Sequence, residues 1–139
     1  MTIRESILAA FQTALTGTTG VQGVYRSRVQ ALNQAEHPSI IIEPVSDLAS
    51  HNSIPRVTWD LIVLVTLLVR DDNPDNAADS ILADMYSRIM TNSAIDNIAV
   101  DRQPIKTDFQ FLDGDNTLGV ITNQFKVTYQ TALNDLTST

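Results

Sequence analysis

Carboxylates occur close together at Asp113 and Asp115, in the run Asp-Gly-Asp-Asn-Thr. Oxygen-rich clusters of this kind are the ligands that Ca²⁺ prefers in proteins. A calcium loop that began at Asp113 would need glycine at its sixth position and glutamate at its twelfth. The chain has Leu118 and Gln124 there, so we interpret the run as a turn.

Other polar residues that could bind a metal are isolated. Asp71 and Asp72 are adjacent but have no further ligand at suitable spacing, and they are interpreted as the solvated start of a helix. His37 and His51 lie in polar segments without cysteine or a second histidine nearby, as surface histidines do. A metal held between two subunits stays open, since sequence alone does not reveal it.

Nucleophiles and phosphate-binding glycines also lack the necessary surroundings. Ser39 and Ser53 have no nucleophile-elbow context. Gly17, Gly20 and Gly23 follow a helical pattern and precede a strand, which is the reverse of a phosphate loop. We therefore predict no catalytic residue, no cofactor-binding residue and no metal ligand, and expect that the protein is not an enzyme.

Composition narrows the class further. The chain has 139 residues, 43% of them hydrophobic, which is typical of one globular domain with one core. There is no cysteine, so neither a disulfide framework nor a thiolate site is available. The net charge of −7 and scattered basic residues disfavour binding to nucleic-acid phosphate. We predict no signal peptide and no membrane span, because no apolar run is longer than the five residues of Leu61 to Val65.

The elements of the chain are organised around the stretch 56–70, which we predict to be one long strand. Its odd-numbered positions are all apolar, which is the period of two that puts alternate side chains on one face. Its other face is polar at both ends and apolar in the middle. At about 3.3 Å per residue the strand would extend about 50 Å, so part of its second face could meet another chain. The apolar face carries Val57, Trp59, Leu61, Val63, Val65, Leu67 and Val69.

Two amphipathic helices are predicted. The first covers 3–16, with Thr2 as cap, Glu5 completing a capping box and Gly17 ending the helix. The second covers 74–90, where Pro74 suits the first helical position. Asn73 caps this helix and Asp75 lies favourably at its positive end. The apolar face of the second helix is formed by Ala78, Ile81, Leu82, Met85 and Ile89.

The remaining segments predict short strands, a hairpin and loops. We expect short strands at 24–26 and 39–43, the second ended by Pro44, and a polar loop from Asp47 to Pro55. Residues 94–100 fit a turn and a short strand. Strands at 105–112 and 118–131 would pair as a hairpin around the acidic turn Asp113 to Thr117.

These elements predict an α+β fold. The order is α-β-β-β-α-β-β, and we expect a mostly antiparallel sheet with two helices packed on one face. A single domain would cover residues 1–131, and residues 132–139 would form a loose C-terminal tail.

The series of landmarks resembles a known family, the tail terminator proteins of long-tailed, non-contractile bacteriophages (the lambda-like minor tail protein U family). The resemblance covers nearly the whole chain and depends on the order and spacing of the landmarks. These are the opening helix 3–15, His37-Pro38 before the strand 40–42, Thr58-Trp59, Pro74-Asp75, Ser87-Arg88-Ile89, the acidic turn 113–115 and Val127-Thr128-Tyr129. The ending 133–139 has no counterpart in the family pattern.

The resemblance implies a structural virion protein. Such a subunit assembles as a ring, usually of six copies, that caps the tail tube, stops its polymerisation and offers a joining surface to the head. The implied partners are further copies of the chain, the tail tube protein and the head-tail connector or neck proteins. DNA would pass through the lumen only as cargo, without sequence-specific binding. The implied location is the neck end of the virion tail, after assembly in the host cytoplasm.

Two groups of residues are candidates for contacts in such an assembly. Basic residues without an obvious local partner in the sequence, and an acidic cluster at the start of the second helix, are candidates for the subunit boundary: Arg26, Arg28, Arg56, Arg70, Asp71, Asp72 and Asp75. Polar residues beside the long strands are candidates for docking to the tail tube, because loops carry function more often than the scaffold does. These are Asp47, His51, Asn52, Asp113, Asp115 and Asn116.

Two alternatives remain open. The chain could be another neck component of the phage, such as a head-completion or connector protein of similar size. It could also be a small α+β enzyme or ligand-binding domain. The mass of the purified protein would separate a ring from an enzyme. An enzyme of this size is expected to be a monomer or dimer and to turn over a substrate.

Overall fold

A computed structural model describes residues 1–27, 38–51, 55–113 and 117–138. These residues form three helices and five strands. In chain order the elements are α1 (Ile3–Leu15), β1 (Gly23–Arg26), β2 (Ser39–Ser50), β3 (Arg56–Arg70), α2 (Pro74–Met90), α3 (Ser93–Ile98), β4 (Asp101–Leu112) and β5 (Leu118–Ala132).

The five strands form one mixed sheet in the order β1-β2-β3-β5-β4. β2, β3, β5 and β4 pair antiparallel, but β1 runs parallel to β2, with Val24 opposite Ile40. The α+β class is therefore confirmed, whereas the expectation of a mostly antiparallel sheet with two helices needs correction. The connection 27–38 is long enough for the crossover that a parallel pair requires, and no pattern in the four residues of β1 indicates the direction of that strand.

The two long helices begin and end close to the predicted residues. Thr2 caps α1 by accepting a hydrogen bond from the Glu5 amide at 3.1 Å. α1 ends at Leu15, one residue before the prediction, and Gly17 follows with a φ of +93°. α2 has the predicted bounds, but the Asn73 side chain makes no capping hydrogen bond.

A third helix replaces the turn and short strand that were expected at 94–100. In α3 the Asn92 side chain accepts a hydrogen bond from the Ile95 amide at 3.0 Å, which caps the helix. Ile95 is fully buried in the main core. The order is therefore α-β-β-β-α-α-β-β. A helix of six residues with one buried residue is too short for hydrophobic periodicity to reveal.

Strand β2 continues well beyond Pro44, where the sequence predicted its end. Pro44 lies opposite Val63, and the pairing register shifts between Pro44 and Ser46. Among the described residues, β1 pairs with β2 as far as Ile42, so the proline lies beyond this pairing and beside a bulge, where strands tolerate it. The prediction of a loop from Asp47 is wrong for residues 47–50.

The core lies between the helices and the odd-numbered face of β3. Along this face Leu61, Val63, Val65 and Leu67 are fully buried and cluster with residues of α1 and α2. The opposite face of β3 is partly exposed, as its mixed composition predicted. The helix residues of this core include Ile7, Phe11, Leu15, Ala78, Ile81, Met85 and Ile89.

Residues 132–138 fold back towards the start of α1. The Ile3 amide donates a hydrogen bond to the Leu136 carbonyl at 3.0 Å, and the Ala132 amide donates to the Ser138 carbonyl at 2.8 Å. These bonds place the C-terminal segment beside the first turn of α1. The division into a domain 1–131 and a loose tail 132–139 stays a prediction.

Candidate interaction surface

Strand β4 is exposed along almost its whole length. All of its residues except Arg102 are exposed, including several large apolar side chains. Phe109 keeps 51% and Phe111 keeps 49% of its surface in contact with solvent. A strand normally buries at least one face, so β4 has a face left to cover.

The exposure follows from where the helix layer ends. Phe109 lies opposite Ile121 of β5, and Ile121 is fully buried whereas Phe109 is not. The start of α2 lies directly over β5, since a Cβ on Gly119 would approach the Pro74 Cβ to 2.6 Å. The helices therefore cover β5 and meet its outer neighbour β4 near the start of that strand, and they leave the rest of β4 uncovered.

A groove runs between α2 and β4. It has a volume of about 210 Å³ and is mainly apolar, lined by Leu82 and Tyr86 from α2 and by Pro104 and Ile105 from β4. Its floor includes Phe125, whose ring centroid lies 6.5 Å from that of Tyr86. The groove could accept an apolar side chain from a partner that lies along β4.

The free edge of β4 is protected unevenly. Near its start, Pro104 and a register shift between Pro104 and Lys106 interrupt the ladder. Beyond the shift, the segment 106–112 has neither proline nor glycine. It carries one ion pair, between Lys106 and Asp108 at 3.2 Å. An exposed edge of this kind is a template for pairing with another strand.

The start of β4 is held firmly by one arginine. The Arg102 guanidinium donates hydrogen bonds to the carbonyls of Met90, at 2.6 Å, and Asn92, at 3.0 Å. It also pairs with the Asp96 carboxylate at 2.6 Å, and its side chain is only 10% exposed. Arg102 thus joins the end of α2, the start of α3 and the start of β4, so the exposed strand projects from a fixed base.

The arginines predicted for a subunit boundary do not form one group. Arg26 donates two hydrogen bonds of 3.0 Å to the Glu5 carboxylate, so the view that it lacks a local partner is wrong. This pairing lowers the pKa of Glu5. Arg70 also interacts within the chain, and Arg56 is exposed at the start of β3. Arg28 lies outside the described residues.

The acidic residues of that prediction do lie together. Asp71, Asp72 and Asp75 are all exposed at the start of α2. The Asp71 carboxylate accepts a hydrogen bond from the Asn73 amide at 3.0 Å, which organises the turn into the helix. The structure thus presents one exposed acidic cluster, and its role at a subunit boundary stays a prediction.

Asp47, predicted for docking from a loop, lies in a strand and has a largely buried side chain. It lies in β2, its side chain is 10% exposed, and it accepts hydrogen bonds from the Tyr129 hydroxyl and, at 3.3 Å, from Arg4. Burial, followed by the contact with Asp47, raises the pKa of Tyr129. The carboxylate thus joins the second half of β2 to α1 and β5. It does not lie at the tip of a loop.

The other residues predicted for docking are divided between exposed and undescribed positions. His51 and Asp113 are exposed, each at the end of a strand. Asn52, Asp115 and Asn116 lie outside the described residues. Docking through these segments stays a prediction.

In the described ranges no three residues among histidine and the acids are placed to hold a metal ion. Within the same ranges, no helix is long and apolar enough to cross a membrane.

Sequence reasoning missed the exposure of β4, although one signal pointed to it. Two helices about 10 Å wide cover about four strands spaced about 4.8 Å apart. A five-stranded sheet with two long helices therefore leaves about one strand uncovered. The uncovered strand is β4, because β3 and β5 carry the longest buried faces and occupy the middle of the sheet.

No family model matches the chain, and no curated protein sequence matches it. Among solved structures, a chain from the virion of a native gene transfer agent particle is similar over 93% of this chain and 92% of its own length. The two sequences are 11% identical and the TM-score is 0.45. The likeness is one of backbone path between chains of different sequence.

Proposed function

We propose that the chain is a structural virion protein that works by assembly and not by catalysis. The observation that carries the proposal is strand β4, in which every residue except Arg102 is exposed, so that both faces are open beside an apolar groove. A surface of this kind is a liability for a protein that remains alone, because it invites pairing with other chains. The same surface is useful to a protein that functions by binding other subunits.

The specific role we propose is that of a tail terminator. The resemblance of the sequence to that family supports a ring of about six copies at the neck end of a phage tail. The ring would cap the tail tube, stop its polymerisation and offer a joining surface to the head-tail connector. The subunits of a ring with two different faces must all point the same way, so their contacts join two different surfaces of the chain.

Burial of β4 would stabilise such an assembly substantially. Phe109, Phe111, Ile105 and Leu112 are each about half exposed. Complete burial of a large apolar side chain is worth about 1.5–3 kcal/mol, so covering these four would contribute several kcal/mol. This free energy would offset part of the cost of association, which consists of lost translational and rotational freedom and the ordering of side chains.

The acidic cluster at the start of α2 is our candidate for the second side of the subunit contact. Asp75 is exposed there together with Asp71 and Asp72. Reversing Asp75 to Lys should release subunits from the ring while leaving the fold intact, because any basic residue of the next subunit that meets the acidic cluster would then face a like charge. Light scattering of assembled rings measures this, and an unchanged mass would remove the cluster from the boundary.

The net charge of −7 suits a ring through which DNA passes. Negative charge on the lumen would repel DNA phosphate, and this would keep the transit of DNA from stalling. The proposal therefore includes DNA only as passing cargo, with no sequence-specific contact.

The experiment is to delete the gene in its own genome and examine the particles by negative-stain electron microscopy. A tail terminator should leave tails of irregular, excessive length that carry no heads, and supplying the intact gene should restore normal tails. Normal tails joined to heads without the gene would overturn the proposal. Normal tail length with unjoined heads would instead favour a head-completion or connector role.

The same assay tests docking to the tail tube. Shortening the segment Asp113 to Thr117 should disturb tail length if this turn docks to the tube, while rings still form. A matched variant shortened between His51 and Pro55 tests the other candidate segment. If both variants support uniform tails joined to heads, neither segment docks to the tube.

A further inference from the structure

We propose that, outside the virion, two copies of the chain pair their β4 strands antiparallel about a twofold axis at Thr107. The pairing would extend the five-stranded sheet of one copy into the sheet of the other. The pairing is inferred from the edge itself, and only its restriction to the free protein rests on the proposed function.

The direction of the backbone groups identifies which residues can pair. The Thr128 carbonyl of β5 accepts a hydrogen bond from the Val100 amide at 2.7 Å, so Thr128 directs its backbone groups towards β4. Adjacent residues of a strand direct these groups to opposite sides, so Asn123 directs its groups away from β4. Thr107 lies opposite Asn123, and its own amide and carbonyl therefore point outwards.

This result agrees with two further observations. Pro104 lies opposite Phe125, another odd-numbered residue, so its nitrogen also points outwards, where a missing N–H costs no ladder bond. The Thr107 hydroxyl donates to the Asn123 side chain at 2.9 Å, as expected for the closer side chains of a pair without backbone hydrogen bonds. Within the part of the chain that the structure describes, Thr107, Phe109 and Phe111 thus offer a row of backbone donors and acceptors without partners.

Charge selects the register of the pairing. With the axis at Thr107, Lys106 of each copy lies opposite Asp108 of the other. Both side chains are more than half exposed and are available for this contact. With the axis at Phe109 instead, Lys106 would lie opposite Leu112 and Asp108 opposite Gln110. Opposite charges placed directly across two strands stabilise the pair, so the first register is favoured.

The apolar side chains fit the same register. On the helix side of the sheet, Phe109 of one copy would lie opposite Ile105 of the other, at the mouth of the groove between α2 and β4. Ile105 is 47% exposed and Phe109 is 51% exposed in the single chain. Pairing would cover both side chains and would satisfy the free backbone groups at the same time.

The paired form is a form of the free protein only. A twofold contact orients its two copies in opposite directions, whereas a ring with two different faces needs subunits that point the same way. The pair must therefore separate before β4 serves any contact in a ring. Until then it would shield the exposed edge from uncontrolled association.

A cysteine placed on the axis tests the register directly, because the natural chain has no cysteine. Only a residue on a twofold axis meets its own counterpart. Residues of a hydrogen-bonded antiparallel pair have Cα atoms about 5.5 Å apart, within the range that a disulfide spans. The Thr107→Cys protein should therefore form a disulfide-linked dimer under mild oxidation at micromolar concentration.

Phe111→Cys is the matched control on the same strand and the same face. In the proposed register its two copies would lie about 26 Å apart, since eight residues at about 3.3 Å separate them. This variant should stay uncrosslinked under the same conditions. Equal crosslinking of both variants, or crosslinking of Phe111→Cys alone, would overturn the register and indicate either unspecific contact or another occupant of the edge.

Charge reversal provides a second, independent measurement. Lys106→Asp should weaken the dimer about tenfold in sedimentation velocity, because two pairs of like charges would then face each other. Adding Asp108→Lys to the same chain should restore the affinity. A wild-type chain that stays monomeric up to about 100 µM, or a double variant that stays as weak as the single one, would refute the pairing. The tail assay described above can succeed or fail independently of this result.

Discussion

Gly119 offers a sharp test of how α2 lies on the sheet. Gly119 is in β5, and a Cβ added there would lie 2.6 Å from the Cβ of Pro74 and 3.6 Å from the carbonyl oxygen of Val69. Carbon atoms in good contact are about 3.5–4.0 Å apart, so Gly119→Ala would force α2 and β5 apart by about 1 Å. Overpacking of this kind costs about 1–3 kcal/mol.

The expected net effect is smaller than the steric cost. Alanine restricts the unfolded chain more than glycine does, which contributes about 0.4–1 kcal/mol of stability where the backbone conformation is compatible. Gly119 has no positive φ, so that gain applies. We therefore expect Gly119→Ala to lower the free energy of unfolding by about 1–2 kcal/mol.

A double-mutant cycle assigns the effect to its cause. In a Pro74→Gly background the clashing Cβ is absent, so Gly119→Ala should become neutral or slightly stabilising. Urea denaturation followed by the fluorescence of Trp59, the single tryptophan, measures each free energy of unfolding. A Pro104→Gly background serves as the control, because Pro104 lies opposite Phe125, well away from Gly119, and distant changes add within about 0.5 kcal/mol.

The reasoning would be refuted if the two changes were additive in the Pro74→Gly background. Additivity would mean that the start of α2 does not rest on β5. The position of α2 would then not explain why most of β4 is left uncovered.

Three further predictions concern stability. Arg102→Met should lower the free energy of unfolding by about 2–3 kcal/mol in urea denaturation, since the carbonyls that the guanidinium binds lose a charged donor; a loss below about 0.5 kcal/mol would contradict its anchoring role. Ile89→Ala should cost about 2–5 kcal/mol because Ile89 is fully buried, and Leu82→Ala should cost less because Leu82 is only partly buried, so equal losses would contradict the placement of these residues. The hydrogen bond from Arg26 holds the pKa of Glu5 below its ordinary value of 4.5 in the folded chain. Its contribution is therefore present above that value and is lost as the pH falls through the lowered pKa, so Glu5→Gln should lose stability less steeply on acidification, and parallel stability profiles would contradict this.

Local signals explain which elements the sequence predicted well. α1 and α2 were found because each carries an apolar stripe over many residues and has a recognisable start at Thr2 or Pro74. β3 was found because seven apolar residues alternate without interruption. Such patterns show which side of an element is buried, because the element's own residues largely decide this.

The features that were missed depend on distant parts of the chain. The parallel direction of β1 depends on its pairing with β2, and the continuation of β2 past Pro44 depends on where β1 ends. The burial of Asp47 depends on Tyr129, which lies far away in the sequence. None of these contacts produces a periodic pattern of apolar residues in the segment that makes the contact.

The candidate surface was missed for a related reason. The alternation of Ile105, Phe109 and Phe111 with polar residues predicted a strand in a hairpin but did not indicate whether its apolar face is covered. The strand is present, but it lies at the edge of the sheet beyond the reach of the helices. The same alternation therefore marks a face that a partner would bury.

Location within the particle tests the central proposal most directly. Virions produced by the genome that encodes the chain can be imaged by cryo-electron microscopy, with a small tag on the chain to identify its density. The proposal predicts a ring of about six copies between the tail tube and the head-tail connector. Purified virions that lack the chain, or that carry it anywhere other than the neck, would contradict the proposal.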